Sequence, residues 1–216
     1  MKALFGVEKE NIRVDKYGKI AQTPHPGVFG DKLKHPFVTT DFSESQVEMI
    51  TPPLPSIPQT LGFLETIHDI VSLEMHDEFL WPQSVPPVLP SDDEIPIAHY
   101  NNIGRKEEQY REKLAIKYGR KKQTVSGIHF NISLHDGLLK MIHQEMAPGL
   151  SFEEFKNEAY LKMTRQLLRH RWLYVLIFGS SPVFDPSFDL RCRDFPVYFN
   201  TANRGLSLRN SCFGYG

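Results

Sequence analysis

The chain has 216 residues, 40% of them hydrophobic and 24% charged, with a formal net charge of -1. That length suits one domain with a good-sized core, or a large piece of something longer, and the near-neutral charge gives no electrostatic basis for a nucleic-acid partner. Two cysteines, Cys192 and Cys212, are too few for a disulfide scaffold and point to a reducing setting, with a single bridge left open. The longest apolar run, Trp172 to Phe178, falls far short of the roughly 20 residues of a membrane span. The first residues, Met-Lys-Ala-Leu-Phe-Gly, show no signal-peptide pattern. A soluble, cytoplasmic protein without a membrane partner is expected.

Residues 5–13 alternate as a strand does. Glu8 and Glu10 then share one face, roughly 7 Å apart. Like charges held that close destabilise each other unless a cation joins them or the face is open to water, and the spacing allows either. Asp15 to Gly18 is a turn, and residues 19–22 are expected to pair back as a hairpin. Residues 23–36, rich in proline and glycine, read as irregular loop. Residues 38–41 lead into 45–52, where Val47, Ile50 and the Pro52-Pro53 stop favour a short strand over a helix. Gln46, Glu48 and Ile50 would then share a face.

Ser56 is an N-cap and Pro58 sits in the first turn of a helix. Leu61, Leu64, Ile67, His68, Val71 and Met75 carry its period to about Glu78. Residues 82–96 form a proline-rich loop containing Asp92, Asp93 and Glu94. Arg105–Tyr118 is a second helix, charged on its outer face and closed by Gly119. Arg120, Lys121 and Lys122 precede a strand over 124–134. One face carries Val125, Gly127, His129, Asn131 and Ser133; the other, with Thr124, Ile128, Phe130 and Ile132, is expected to be core. Ser151-Phe-Glu-Glu154 is a capping box. It opens a long helix through Leu161, Leu167, Leu168 and Trp172 that ends near Phe178. Residues 183–216 read as loop and short strand with clustered basic side chains.

Chemistry concentrates in Glu8, Glu10, Asp41 and Glu48, on or beside the two early strands, with His129 on a later polar face. Carboxylate oxygens with at most one imidazole suit Mg²⁺ or Mn²⁺ rather than zinc. Magnesium sites of this composition usually hold substrate phosphates. No Walker A or Gly-rich kinase loop is present, so a nucleotide would be held mainly through metal and arginine. Each residue also has a plain structural reading. The glutamates can be a solvated face, Asp41 a turn cap, Glu48 an exposed strand residue, His129 a hydrogen-bonded structural histidine and Arg209 a surface charge.

In its ordered motifs the chain resembles the glutamate–cysteine ligase (gamma-glutamylcysteine synthetase) family of the proteobacterial type. Gly6-Val-Glu-Lys-Glu-Asn-Ile-Arg-Val14 resembles the family's first acidic strand, and Thr39-Thr-Asp-Phe-Ser-Glu-Ser-Gln-Val-Glu-Met-Ile-Thr-Pro52 its second motif. Trp81-Pro-Gln-Ser-Val-Pro86, Tyr110-Arg-Glu-Lys-Leu114, Gln123-Thr-Val-Ser-Gly-Ile-His-Phe-Asn131, Phe178-Gly-Ser-Ser-Pro182 and Ser207-Leu-Arg-Asn-Ser-Cys-Phe-Gly-Tyr215 follow in order. The Glu-Lys-Glu form also resembles the ligase half of bifunctional glutathione-synthesising fusion proteins.

The resemblance implies an α+β fold, part of a glutamine-synthetase-like, curved, mainly antiparallel sheet with helices packed on one side. It implies ATP-dependent joining of the L-glutamate gamma-carboxylate to the L-cysteine amine through gamma-glutamyl phosphate. By resemblance, Glu8, Glu10, Asp41 and Glu48 carry the metal ions, with His129 contributing. Tyr110, Leu114, Gln123 and Tyr215 form the cysteine pocket, and Arg209 holds substrate carboxylate. Because the family's chains are much longer, residues 1–216 are expected to be the N-terminal part of one catalytic domain, inactive alone. Another glutamate–amine ligase of the same superfamily, or a non-catalytic remnant that binds metal or glutamate, are the alternatives left open.

Overall fold

The computed structural model describes residues 3–100, 104–178 and 185–188. β1 (Ala3–Val14) is the axis of a five-stranded, wholly antiparallel sheet. One edge of β1 pairs with β3 (Gln46–Ile50), which is flanked in turn by β2 (Val38–Thr40). Its other edge pairs with β5 (Ile128–Leu134) along Ala3 to Lys9 and with β4 (Phe79–Leu80) at Arg13 and Val14. The alternating pattern of residues 5–13 and the short strand ending before Pro52-Pro53 are both present.

Alternation divides the sheet into two faces. Val7 and Asn11 of β1 and Val47 and Met49 of β3 point to the face covered by α1 (Ile57–Leu73). There Val38, Val47, Met49, Ile67, Val71 and Met75 close a core with Phe29. Val47, Met49 and Val71 are fully buried, each worth about 1.5–3 kcal/mol of burial. Ser56 accepts the Gln59 backbone N–H and Pro58 lies in the first turn, as the sequence predicts. A second core joins Ile12, Val14, Ile20, Val85, Leu89, Ile95 and Phe188. Between them Arg13, 1% exposed, is held by Glu78 at 2.5 Å, by the Thr23 hydroxyl and carbonyl, and by the Glu44 carbonyl.

Several boundaries differ from the sequence expectation. α1 stops at Leu73 rather than near Glu78; Met75 still reaches the core, but through a turn in which His76 adopts a positive φ of 42°. Residues 19–22 do pair back on the end of β1, through the antiparallel Val14–Ile20 bridge and the Ala21 N–H to the Arg13 carbonyl, but too briefly to form a strand. The strand expected over 124–134 begins at Ile128, because Arg120–Gln123 forms a short helix, α3, after α2 (Arg105–Tyr118). The long helix is two, α5 (Phe152–Arg169) and α6 (Arg171–Phe178). α5 ends with His170 as its C-cap: its backbone N–H still reaches the Gln166 carbonyl, and its ring Nδ1 lies 2.8 Å from the same oxygen. The capping box at Ser151 and Glu154 is formed. α4 (Asp136–Met146), which the periodicity reading left unassigned, precedes it. Among the described residues no helix is long and apolar enough to cross a membrane.

The row expected to be core on β5 is a further correction. Ile128, Phe130 and Ile132 face the α1 side, opposite Lys9, Val7 and Phe5. They are 63%, 53% and 43% exposed. α1 lies over β1 and β3 and leaves this row of β5 open.

Candidate active site

The face opposite α1 gathers the acidic residues. Strand alternation puts Glu8 and Glu10 there together, and antiparallel register places Glu48 directly across from Glu10. On the other edge His129 lies across from Glu8. Asp41 follows β2 by one residue, and alternation from Thr39, the cross-strand partner of Glu48, turns it to the same side. Lys9, between the two glutamates, points to the other face, where its ammonium donates to Asn11 Oδ1 at 2.5 Å. The sequence's own nearest cation therefore does not join the pair.

Neutral donors orient the carboxylates instead. Glu10 Oε2 accepts the Gly127 backbone N–H at 2.8 Å and the Gln46 amide at 3.2 Å. Its Oε1 lies 3.2 Å from His129 Nε2. Asn131 donates to Glu8 Oε1 at 2.8 Å. A Cβ at Gly127 would come within 3.1 Å of His129 Nε2, so a glycine keeps backbone and imidazole both close to Glu10. Gln46 and Asn131 carry a sequence signal, since period two puts them on the acidic face. The Gly127 N–H carries none, because backbone donors are invisible to side-chain pattern.

Electrostatics make the cluster short of positive charge. Burial, then the charges of Asp41, Glu10 and Glu8, push the Glu48 carboxyl up to about 7. Burial and Asp41 raise Glu10, against the Gly127 N–H and His129. Burial also raises Asp41, opposed by the Phe42 N–H, Arg111 and His129. Gln46 is fully buried; its amide nitrogen faces Glu10 and its Oε1 has no hydrogen-bond partner. These observations fit a divalent cation of the magnesium type. Among the described residues no group of three or more His, Cys, Asp or Glu side chains is placed to hold a metal ion by itself. Mg²⁺ needs no such group, because it keeps several waters and takes one or two carboxylates plus phosphate oxygens.

The remaining candidates are spread. Tyr110 and Leu114 lie one turn apart on α2, on the same helical face; Tyr110 is 61% exposed. Gln123 ends α3. Arg209 and Tyr215 lie outside the described residues, as do Cys192 and Cys212. Arg111, which the motif reading passed over, donates to the Asp41 and Thr40 carbonyls.

Comparison with known proteins places the chain by sequence and fold. The glutamate-cysteine ligase family model matches residues 1–216. The "Glutathione biosynthesis bifunctional protein GshAB" of Desulfotalea psychrophila is 52% identical over 98% of the chain and 28% of its own length. The "Glutamate--cysteine ligase" of Clostridium acetobutylicum is 43% identical over 98% of the chain and 47% of its own length. The crystal structure of a bifunctional glutathione synthetase from Pasteurella multocida matches with a TM-score of 0.84 at 35% identity, over 100% of this chain and 27% of that one. The glutamate–cysteine ligase of Francisella tularensis, solved in complex with AMP, matches with a TM-score of 0.85 at 28% identity, over 96% and 41%. The chain thus spans between about a quarter and a half of the length of these relatives. With the family model matched from end to end and the overall structure matching both solved structures at a TM-score above 0.8, the chain belongs to the glutamate-cysteine ligase family.

Proposed function

We propose that this chain supplies the metal-facing and part of the acceptor-facing surface of an ATP-dependent ligase. That ligase joins the gamma-carboxylate of L-glutamate to the amine of L-cysteine, the first step of glutathione biosynthesis, in the cytoplasm. The observation that carries the reading is the facing of Glu10 and Glu48 across β1 and β3, with Glu48 pushed up to about 7 by burial first and then by the neighbouring carboxylates of Asp41, Glu10 and Glu8. Glu8, Glu10, Asp41 and Glu48 would hold Mg²⁺ or Mn²⁺, with His129 beside Glu10. When bound, such an ion supplies charge neutralisation for the triphosphate and the transferring phosphoryl group.

A carboxylate is a poor acyl donor, so ATP first converts it to gamma-glutamyl phosphate; the cysteine amine then displaces phosphate. The chain's own residues serve positioning. Gly127 N–H and the Gln46 amide fix Glu10, and Asn131 fixes Glu8, so the anionic face is set before substrate arrives. Tyr110, Leu114 and Gln123, with Arg209 and Tyr215, are the proposed contacts to the amino-acid substrates. The 216 residues are proposed to form part of one catalytic domain, without turnover on their own.

Exchange into the Clostridium acetobutylicum ligase tests the reading. The hybrid carrying these 216 residues should release phosphate only with ATP, Mg²⁺, glutamate and cysteine together. Glu10→Gln or Glu48→Gln should lower the rate by at least about 100-fold, as expected for loss of a charged metal contact. A folded hybrid without turnover, or one indifferent to both substitutions, overturns the reading. A panel of amine acceptors separates cysteine from other amines. Turnover by the 216-residue chain alone would overturn the part-domain proposal.

A further inference from the structure

Arg111 sits next to Tyr110 on α2, yet its guanidinium faces the sheet. Nε donates to the Asp41 carbonyl at 2.5 Å and Nη2 to the Thr40 carbonyl at 3.3 Å. Nη1 donates back to the Glu107 carbonyl of its own helix at 3.1 Å. The plane rests 5.0 Å from the centroid of the Tyr100 ring. Tyr100 is buried, and its hydroxyl lies 3.2 Å from Thr40 Oγ1. Three of these contacts, to the Asp41 carbonyl, the Thr40 carbonyl and Thr40 Oγ1, therefore converge on the two residues at which β2 ends. β2 is an edge strand that stops at Thr40, where the Asp41 N–H makes a last bond to the Gln46 carbonyl and the Tyr100 hydroxyl also donates to the Thr40 carbonyl at 3.4 Å.

We propose that Arg111 is a positioning residue: its fork clamps the Thr40–Asp41 backbone and so aims the Asp41 carboxylate at the divalent cation shared with Glu10 and Glu48. The clamp rests on the metal reading above. It also links two parts of the site. Tyr110 and Leu114 ride on the helix whose Arg111 grips the metal strand, so any shift of α2 is passed to Asp41 through rigid contacts.

A plain electrostatic neighbour and a clamp have opposite consequences for metal binding. Arg111 is a cation beside an anionic cluster, and its charge stabilises the ionised forms of Asp41 and Glu48. Were it only a charge, its removal would relieve repulsion and tighten a divalent cation. As a clamp, its removal lets Asp41 wander and loosens the cation. Outer partners of metal ligands typically contribute 10–100-fold in affinity.

The test is Mn²⁺ titration followed by electron paramagnetic resonance on wild type, Arg111→Met, Arg111→Lys, Asp41→Asn and the Arg111→Met/Asp41→Asn double variant, with circular dichroism to verify folding. Both Arg111 variants should weaken Mn²⁺ by about 10-fold, Lys included, because an ammonium cannot span two carbonyls as the planar fork does. In the Asp41→Asn background, Arg111→Met should change affinity less than twofold, since the clamp acts through Asp41. Unchanged or tighter Mn²⁺ in Arg111→Met overturns the clamp while leaving the metal reading intact. Equal losses with and without Asp41 also overturn it. Loss of fold in both single variants overturns it too, by making Arg111 a support of the domain instead of the site. Absence of Mn²⁺ binding in wild type, or indifference to Asp41→Asn, is the separate failure of the metal reading.

Discussion

Replacing Glu48 by glutamine should stabilise the metal-free protein at alkaline pH. Burial, and then the charges of Asp41, Glu10 opposite it and Glu8, push the Glu48 carboxyl from 4.5 to about 7. At about 1.36 kcal/mol per tenfold change in proton affinity, the full lift corresponds to about 3 kcal/mol. Glu48 is only partly buried, so solvent screening reduces this to about 1.5 kcal/mol. The sign follows from linkage. Below 4.5 the carboxyl is protonated in folded and unfolded chains alike and the native state loses nothing. Between 4.5 and 7 the unfolded chain ionises first, so native stability falls; above 7 the whole cost is present. Glu48→Gln abolishes that loss. In urea titrations with EDTA, the variant should exceed wild type by about 1.5 kcal/mol at pH 8 and match it near pH 4.5. Saturating Mg²⁺ should reverse the order at pH 8, because wild type gains binding energy the variant lacks. A variant no more stable than wild type at pH 8 in EDTA, or a difference that ignores pH, would refute the idea of a strained anionic face.

His25 works in the opposite direction. Burial, Lys32 and Arg13 hold its imidazole down to about 4, so stability present above 6.5 should be lost as pH falls to 4. His25→Phe should remove about 2 kcal/mol of that dependence in the same urea assay. Glu78→Gln weakens the anchor of fully buried Arg13; unfolding free energy should drop by about 3 kcal/mol, the cost of leaving a buried charge without its partner. Gly127→Ala should fold with a loss below about 1 kcal/mol, because its Cβ meets the movable His129 ring, but the His129 imidazole signals in NMR should show the contact with Glu10 broken.

The acidic face was legible from period two alone: Glu8 with Glu10, and Gln46 with Glu48, fall where alternation puts them. The caps at Ser56 and Ser151 were equally local signals, and both are formed. What period cannot supply is register between distant strands. Nothing near Glu10 in sequence indicates that residue 48 will stand opposite it, or that the N–H of residue 127 will point at its carboxylate. The β5 row shows the converse limit. Ile128, Phe130 and Ile132 alternate as core residues do, but burial depends on what lies above them, and α1 lies elsewhere. Likewise the apolar period runs through His170 without interruption, while α5 ends there with His170 as its C-cap and α6 begins at Arg171.

The double pairing of β1 has an evolutionary corollary. From Glu8 to Lys9 this strand is bonded on both edges, to β3 and to β5. A side-chain period of two means that losing or gaining one residue before Glu8 would turn both glutamates into the α1 core and Lys9 toward the opposite face. Two neighbouring registers would have to slip together to absorb the change. Homologues should therefore drift by substitution along this strand, most freely at Leu4 and Phe5, while insertions and deletions collect in the loop of residues 23–36. Length conservation, more than residue identity, would be the signature by which β1 is recognised in distant relatives.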